Sequence, residues 1–189
     1  RPIPVGMEPT VVRAAAVEGE GDVAYVLCEG DSTVAIIRAD APAREPGDKV
    51  HLLRVPHEVN ALAISPDGRY LLAYIDPTQP LRDQSSIASL QSAALIRLGE
   101  TRADDRVFEL SVTRLIRDVV FTEDSAQAFV VGKEGINRIY LDQIQGDTMV
   151  APLPLNLSES IFPPTDFEIE VSPAGDFLVA RNSDFQGVA

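Results

Sequence analysis

Asn60-Ala61-Leu62-Ala63-Ile64-Ser65-Pro66-Asp67-Gly68-Arg69-Tyr70-Leu71-Leu72-Ala73-Tyr74 is the stretch that decides the fold. Two apolar runs flank a Ser-Pro-Asp-Gly turn. Pro66 presets φ for a turn's second residue, Asp67 tolerates the bridge or left-handed region, and Gly68 accepts positive φ, so the runs are expected to return antiparallel as a hairpin.

The same pattern recurs. Phe167-Glu168-Ile169-Glu170-Val171-Ser172-Pro173-Ala174-Gly175-Asp176-Phe177-Leu178-Val179-Ala180 repeats Ser-Pro-x-Gly. Asp118-Val119-Val120-Phe121-Thr122-Glu123-Asp124-Ser125-Ala126-Gln127-Ala128-Phe129-Val130-Val131 has lost Pro and Gly, but Thr122 stands for Ser65 and Asp124 for Asp67. A fourth copy places Glu18 at the level of Ser65 and Gly21 at the level of Gly68. Successive copies are spaced 47, 57 and 50 residues, with period-two alternation instead of helical periodicity. Segments 32–38, 93–98 and 137–141 supply third strands, and 50–55 and 106–110 outer fourth strands, which makes each unit a four-stranded meander. The long excursion 76–92 is read as a surface loop, and the Pro-rich stretch from Ala151 to Pro164 as an edge strand or crossover.

Three segments carry a family resemblance: Gly6-Met7-Glu8-Pro9-Thr10, then Val23-Ala24-Tyr25-Val26-Leu27, then Gly30-Asp31-Ser32-Thr33-Val34-Ala35-Ile36-Ile37. Together they resemble the bacterial YVTN-type β-propeller repeat, and Ile64–Leu71 resembles the turn that this repeat shares with tryptophan-aspartate and lactonase-like propellers. With no Trp in the chain, the tryptophan-aspartate subclass fits poorly. The resemblance implies an all-β propeller of four-stranded antiparallel blades. About three and a half blades are visible, as one partial domain over 1–189 with units near 6–55, 56–110, 111–160 and 161–189. A ring of about seven blades is implied, completed by the rest of a longer protein or by a second subunit. Arg1 in place of Met is read as a processed or trimmed product, and the resemblance implies a periplasmic or extracellular location.

Composition narrows the function classes. Lys and Arg number 16 against 29 Asp and Glu, a net charge of −13, which opposes attraction to nucleic acid or anionic lipid. No apolar run approaches the roughly 20 residues a membrane-spanning helix needs, so membrane insertion is not expected. The single cysteine, Cys28, rules out an intrachain disulfide and reads as a small apolar strand residue. His51 and His57 have no Ser or Cys spaced to form a nucleophile arrangement, although His57-Glu58 could supply an acid/base pair at a channel mouth. Asp76, Asp83, Asp104, Asp105 and Asp184 offer hard oxygen donors without calcium-loop spacing, and no phosphate-cradling glycine loop occurs. No catalytic residue, metal or cofactor is assigned.

In a propeller the starts of the innermost strands converge on one end of the central channel. Alignment on the turn puts Arg13, Asn60, Arg117 and Phe167 there, with Glu58 and Asp166 beside them. Arg13, Glu58, Asn60, Arg117 and Asp166 are therefore the expected ligand-binding set, able to hold a small molecule through charge-assisted hydrogen bonds. The expected function is a non-catalytic binding or scaffold module presenting loops and channel mouth to a protein or small ligand. The alternatives are a lactonase-like hydrolase and a structural cell-envelope repeat protein.

Overall fold

In the computed structural model, residues 2–39, 49–79, 92–133, 135–153, 167–172 and 176–182 are described. They build four sheets in chain order. The first is a meander of β1 (Pro9–Val17), β2 (Gly21–Cys28), β3 (Thr33–Arg38) and β4 (Val50–Arg54). The second contains β5 (Ala61–Ile64), β6 (Tyr70–Tyr74), β7 (Ser92–Arg97) and β8 (Arg106–Ser111) in the same order. The third pairs β9 (Asp118–Phe121), β10 (Gln127–Gly132) and β11 (Gly135–Tyr140), and the fourth is the hairpin β14 (Phe167–Val171) with β15 (Leu178–Asn182). This all-β architecture of consecutive antiparallel sheets is compatible with a propeller-like fold.

The strands are apolar on both faces because the sheets stack. Tyr25, Leu27, Val34 and Ile36 of the first sheet pack against Leu62, Leu71, Ala73, Ala94 and Ile96 of the second. The opposite face of the second, with Leu72, Leu95, Phe108 and Leu110, meets Ala128, Val130 and Ile139 of the third. Phe129, Val131 and Ile136 then face Ile169 of the fourth. Inner strand β1 lies beside β5, and β9 beside β14.

The Ser-Pro-Asp-Gly turn closes by a side-chain clasp. Ser65 Oγ donates to Asp67 Oδ1 (2.6 Å) and accepts from Tyr70 N (3.0 Å), while Asp67 Oδ1 also accepts from Arg69 N (3.0 Å). Thr122 and Asp124 reproduce it. Thr122 Oγ1 donates to Asp124 Oδ1 (2.6 Å) and accepts from Gln127 N (3.1 Å), and Ala126 N donates to Asp124 (2.9 Å). Where Gly68 has φ +72°, Ser125 takes φ +56°, so the turn keeps its shape at a backbone cost glycine avoids. Gly68 also leaves no room for a side chain, because a Cβ there would sit 2.7 Å from the Ala15 Cβ. Ser65→Ala removes a buried acceptor from the Tyr70 amide and is expected to cost about 1–2 kcal/mol, read as a lower urea midpoint with an unchanged slope.

The first hairpin departs from the turn alignment. Val17 pairs directly with Gly21, so Glu18-Gly19-Glu20 close it as a three-residue loop, whereas Ile64 pairs with Leu71 across six. The third unit adds one pairing the repeat does not give and completes one that it does. β12 (Thr148–Met149) runs parallel to β8 of the preceding sheet, and β13 (Pro152–Leu153) then pairs with β11 as the fourth strand of its own. Of the Pro-rich stretch, only Ala151 to Leu153 lies within the described residues, and of the excursion 76–92, residues 80–91 lie outside them.

Candidate functional site

The inner-strand end of the second and third sheets is built twice in the same way. Asn60 N donates to Tyr74 O (3.1 Å) and Arg117 N to Val131 O (2.8 Å), each pair 57 residues from its counterpart. Three residues before β5, Glu58 has φ +83°, and three before β9, Leu115 has φ +52°. Each of these lead-in segments therefore holds a non-glycine residue in the left-handed region, a strain that persists only where surrounding structure imposes it.

Asn60 is buried, and its side chain is occupied by the fold: Oδ1 accepts from Asp76 N (2.7 Å) and Nδ2 donates to Asp76 O (3.0 Å). This clamp holds the segment leaving β6 beside the segment leading into β5. Arg117 is an exposed side chain at the matching place. Arg13 is not level with them. It pairs with Tyr25 in the middle of β1, further along its strand, because the shorter first loop displaces everything before it. Glu58 is half-buried just ahead of its strand; Asp166 lies outside the described residues, and of Phe167 the strand position alone is described.

Around Tyr74 a polar group forms that the turn alignment does not single out. Burial, followed by the carboxylates of Asp76 and Asp118, raises the phenol's pKa, with the Arg13 guanidinium opposing. The phenol stays protonated, a donor and an acceptor at once. Asp76 is shaped locally: its Oδ1 accepts from Thr78 N (2.8 Å) and Oγ1 (2.6 Å), and its Oδ2 from Gln79 Nε2 (3.0 Å). Burial disfavours its charge, but those hydrogen bonds outweigh it and hold the carboxyl below its ordinary range. Asp118, exposed at the start of β9, accepts from Val119 N (2.8 Å). The sequence signal for this group is that Tyr74 and Asp118 occupy the end of β6 and the start of β9, where the repeat brings strands together.

A second polar cluster lies between the first two sheets. Asp105, whose side chain is 0% exposed, accepts from Arg38 Nη2 (2.8 Å) and Nη1 (3.2 Å) and from Gly99 N (3.1 Å), and pairs with His51 Nδ1 (2.8 Å). Arg38 Nε also binds Glu20 Oε2 (2.5 Å). The Tyr25 hydroxyl donates to Gly68 O, and burial raises its pKa. Glu20 Oε1 is buried with no hydrogen-bond partner among the described residues, Arg69 Nη1 lying 3.9 Å away, while His51 and Asp105 act as internal ties; His57, by contrast, is exposed next to Glu58. Asp104 accepts from Thr101 Oγ1 (2.6 Å), and Asp83 and Asp184 lie outside the described residues. Among the described residues no group of three His, Cys, Asp or Glu side chains is placed to hold a metal. Cys28 is buried at the end of β2, where burial pushes its thiol pKa up.

No family model matches the chain, and no curated protein does. Among solved structures, a eukaryotic initiation factor is 11% identical, with 98% of this chain covering 52% of that one at a TM-score of 0.51. That likeness is one of fold. A candidate 6-phosphogluconolactonase of Bacteroides fragilis is 16% identical over 77% of this chain and 42% of its own, TM-score 0.49. Another, of Bacteroides uniformis, is 14% identical over 72% and 37%, TM-score 0.45. The chain thus spans about half or less of the length of these three structures.

Proposed function

We propose that this chain is an arc of a β-propeller that binds a neutral, polyhydroxylated small molecule at the inner-strand end around Tyr74. The observation carrying this reading is the place of Tyr74, which packs against the layer between the second and third sheets that includes Val119, where its protonated phenol feels the charges of Asp76, Asp118 and Arg13. Carboxylates accept from sugar hydroxyls, the phenol serves either role, and a guanidinium donates to a carbonyl oxygen. Two carboxylates against one cation, in a chain of net charge −13, disfavour an anionic ligand. A sugar lactone, neutral and carrying both hydroxyls and a carbonyl, meets these requirements.

Hydrolysis of that lactone is the second reading, favoured by the exposed Asp118 carboxylate, whose charge acts on a phenol that keeps its proton. Asp118 would take a proton from water as it adds to the carbonyl carbon, the ring C–O bond would break, and the departing ring oxygen would take that proton back from the Asp118 carboxyl, giving the open hydroxy acid and the carboxylate again. The names of the two Bacteroides structures specify a phosphorylated, anionic lactone, so this reading differs from them in asking for a lactone without the phosphate.

Calorimetric titration with glucono-δ-lactone and with gluconate tests the binding step. The lactone is expected to bind and the acid to bind more weakly, with Tyr74→Phe or Asp118→Asn weakening lactone affinity about tenfold, a loss of roughly 1.4 kcal/mol. An absence of lactone heat in the wild-type protein overturns the reading. Acid release above the uncatalysed rate in a pH-stat, lost in Asp118→Asn, separates a hydrolase from a binding module.

A further inference from the structure

Asp67-Gly68 is the one place in the sequence where an aspartate precedes glycine, and no asparagine precedes glycine anywhere. Such a dipeptide carries its own reaction. Glycine has no side chain to shield its nitrogen, so that nitrogen can bond to the aspartate Cγ. The Cγ–O bond to one carboxyl oxygen breaks, and that oxygen leaves as water with the amide hydrogen and the carboxyl proton. The ring that forms is a succinimide. Water then adds at either ring carbonyl and breaks that carbon's bond to the nitrogen, which restores aspartate or leaves isoaspartate, whose main chain runs through Cβ and Cγ and is one atom longer.

In the folded turn both reacting groups are engaged elsewhere. Gly68 N donates to Ser65 O (2.9 Å), and the Asp67 carboxylate accepts at Oδ1 from Ser65 Oγ (2.6 Å) and from Arg69 N (3.0 Å). The dipeptide is also held from both neighbouring sheets. Asp67 N donates to Ser125 Oγ (3.0 Å) of the third, and Gly68 O accepts from the Tyr25 hydroxyl of the first. Gly68 is buried, and a Cβ on it would lie 2.7 Å from the Ala15 Cβ and 2.9 Å from Val17 Cγ2. The other copies of the turn lack the reactive pair: Asp124 sits in the same clasp but is followed by Ser125, and Ala174 precedes Gly175.

We propose that Asp67-Gly68 is a latent self-modification site, at which release of the Ser65 clasp lets the main chain cyclise through Asp67 to a succinimide and pass on to isoaspartate. The opened turn is the reacting state, so the rate reports how often the clasp lets go. The change is retained once made, because a turn one backbone atom longer has no slack against Ala15, Val17 and Ser125. This inference does not depend on the ligand reading, since the turn lies at the opposite end of β6 from Tyr74.

Wild-type protein, Ser65→Ala, Ser65→Thr and Asn137→Ala are each kept folded at neutral pH and physiological temperature, and isoaspartate at 67 is followed by mass spectrometry of the proteolytic peptide. Ser65→Ala is expected to accumulate it about tenfold faster than wild type, as the weakened turn opens more often. Ser65→Thr should stay near the wild-type rate, since Thr122 makes the same clasp in the third sheet. Asn137→Ala removes a buried tie of the third sheet but leaves the clasp whole, so it too should stay near wild type. The peptide carrying Asp124 serves as the comparison within each digest and should gain far less isoaspartate than the peptide carrying Asp67. Equal rates in wild type and Ser65→Ala, a rise in Ser65→Thr or Asn137→Ala as large as that in Ser65→Ala, or modification of Asp124 as fast as that of Asp67 overturns the inference.

Discussion

Asp105→Ala is expected to destabilise the protein by about 3–5 kcal/mol, lowering the melting temperature by roughly 10 °C. The carboxylate is fully buried and receives two guanidinium hydrogen bonds from Arg38, one backbone donor from Gly99 and the His51 ring. Its removal strands a guanidinium that is 9% exposed, with Glu20 as the ion partner left. The loss comes mainly from that uncompensated charge, not from the bonds as such. Replacing both partners by apolar residues, Asp105→Leu with Arg38→Met, in a Glu20→Gln background so that no buried carboxylate loses its guanidinium, should therefore restore much of the stability, and a thermodynamic cycle of the single and double variants in that background measures the coupling directly. A double variant as unstable as the sum of its parts would show that the pair does not act as a unit.

Asn137→Ala is the next largest expected effect, about 2–4 kcal/mol. Asn137 is fully buried in β11, where Oδ1 accepts from Thr113 N (2.7 Å) and Nδ2 donates to Val150 O (2.6 Å). One side chain thus joins the segment leading into the third sheet to the segment between β12 and β13, and alanine leaves a donor and an acceptor unpaired at once. Denaturant titration should show a lower midpoint and an unchanged slope. Asn137→Asp keeps the acceptor but loses the donor and buries a charge, so it should be no milder than alanine.

These two sites mark what the sequence concealed. The Ser65 clasp follows from local chemistry, and its copy at Thr122 is legible although Pro and Gly are gone, because Asp124 supplies the same acceptor and Ser125 adopts the left-handed conformation. The same alignment misplaces Arg13: loop length is set by which residues close the ladder, and Gly19 and Gly21 let the first hairpin close in three. That Asp76 and Asp118 both act on Tyr74 is not marked locally, because it depends on how the second and third sheets stack. Arg38 and Asp105 are 67 residues apart, and their pairing depends on the stacking of two sheets. A two-residue strand such as β12 has too little sequence to announce itself.

The loops that follow the third strands reach backwards. Asp105 ties the second sheet to Arg38 and His51 of the first, and β12, with Asp147 accepting from Glu109 N (2.9 Å), ties the third to β8 of the second. Each such tie joins immediate neighbours, so free energy in this molecule is distributed along a line, as a set of sheet terms and junction terms. The second sheet takes part in both ties and both flanking apolar layers, which makes it the thermodynamic keystone of the described residues.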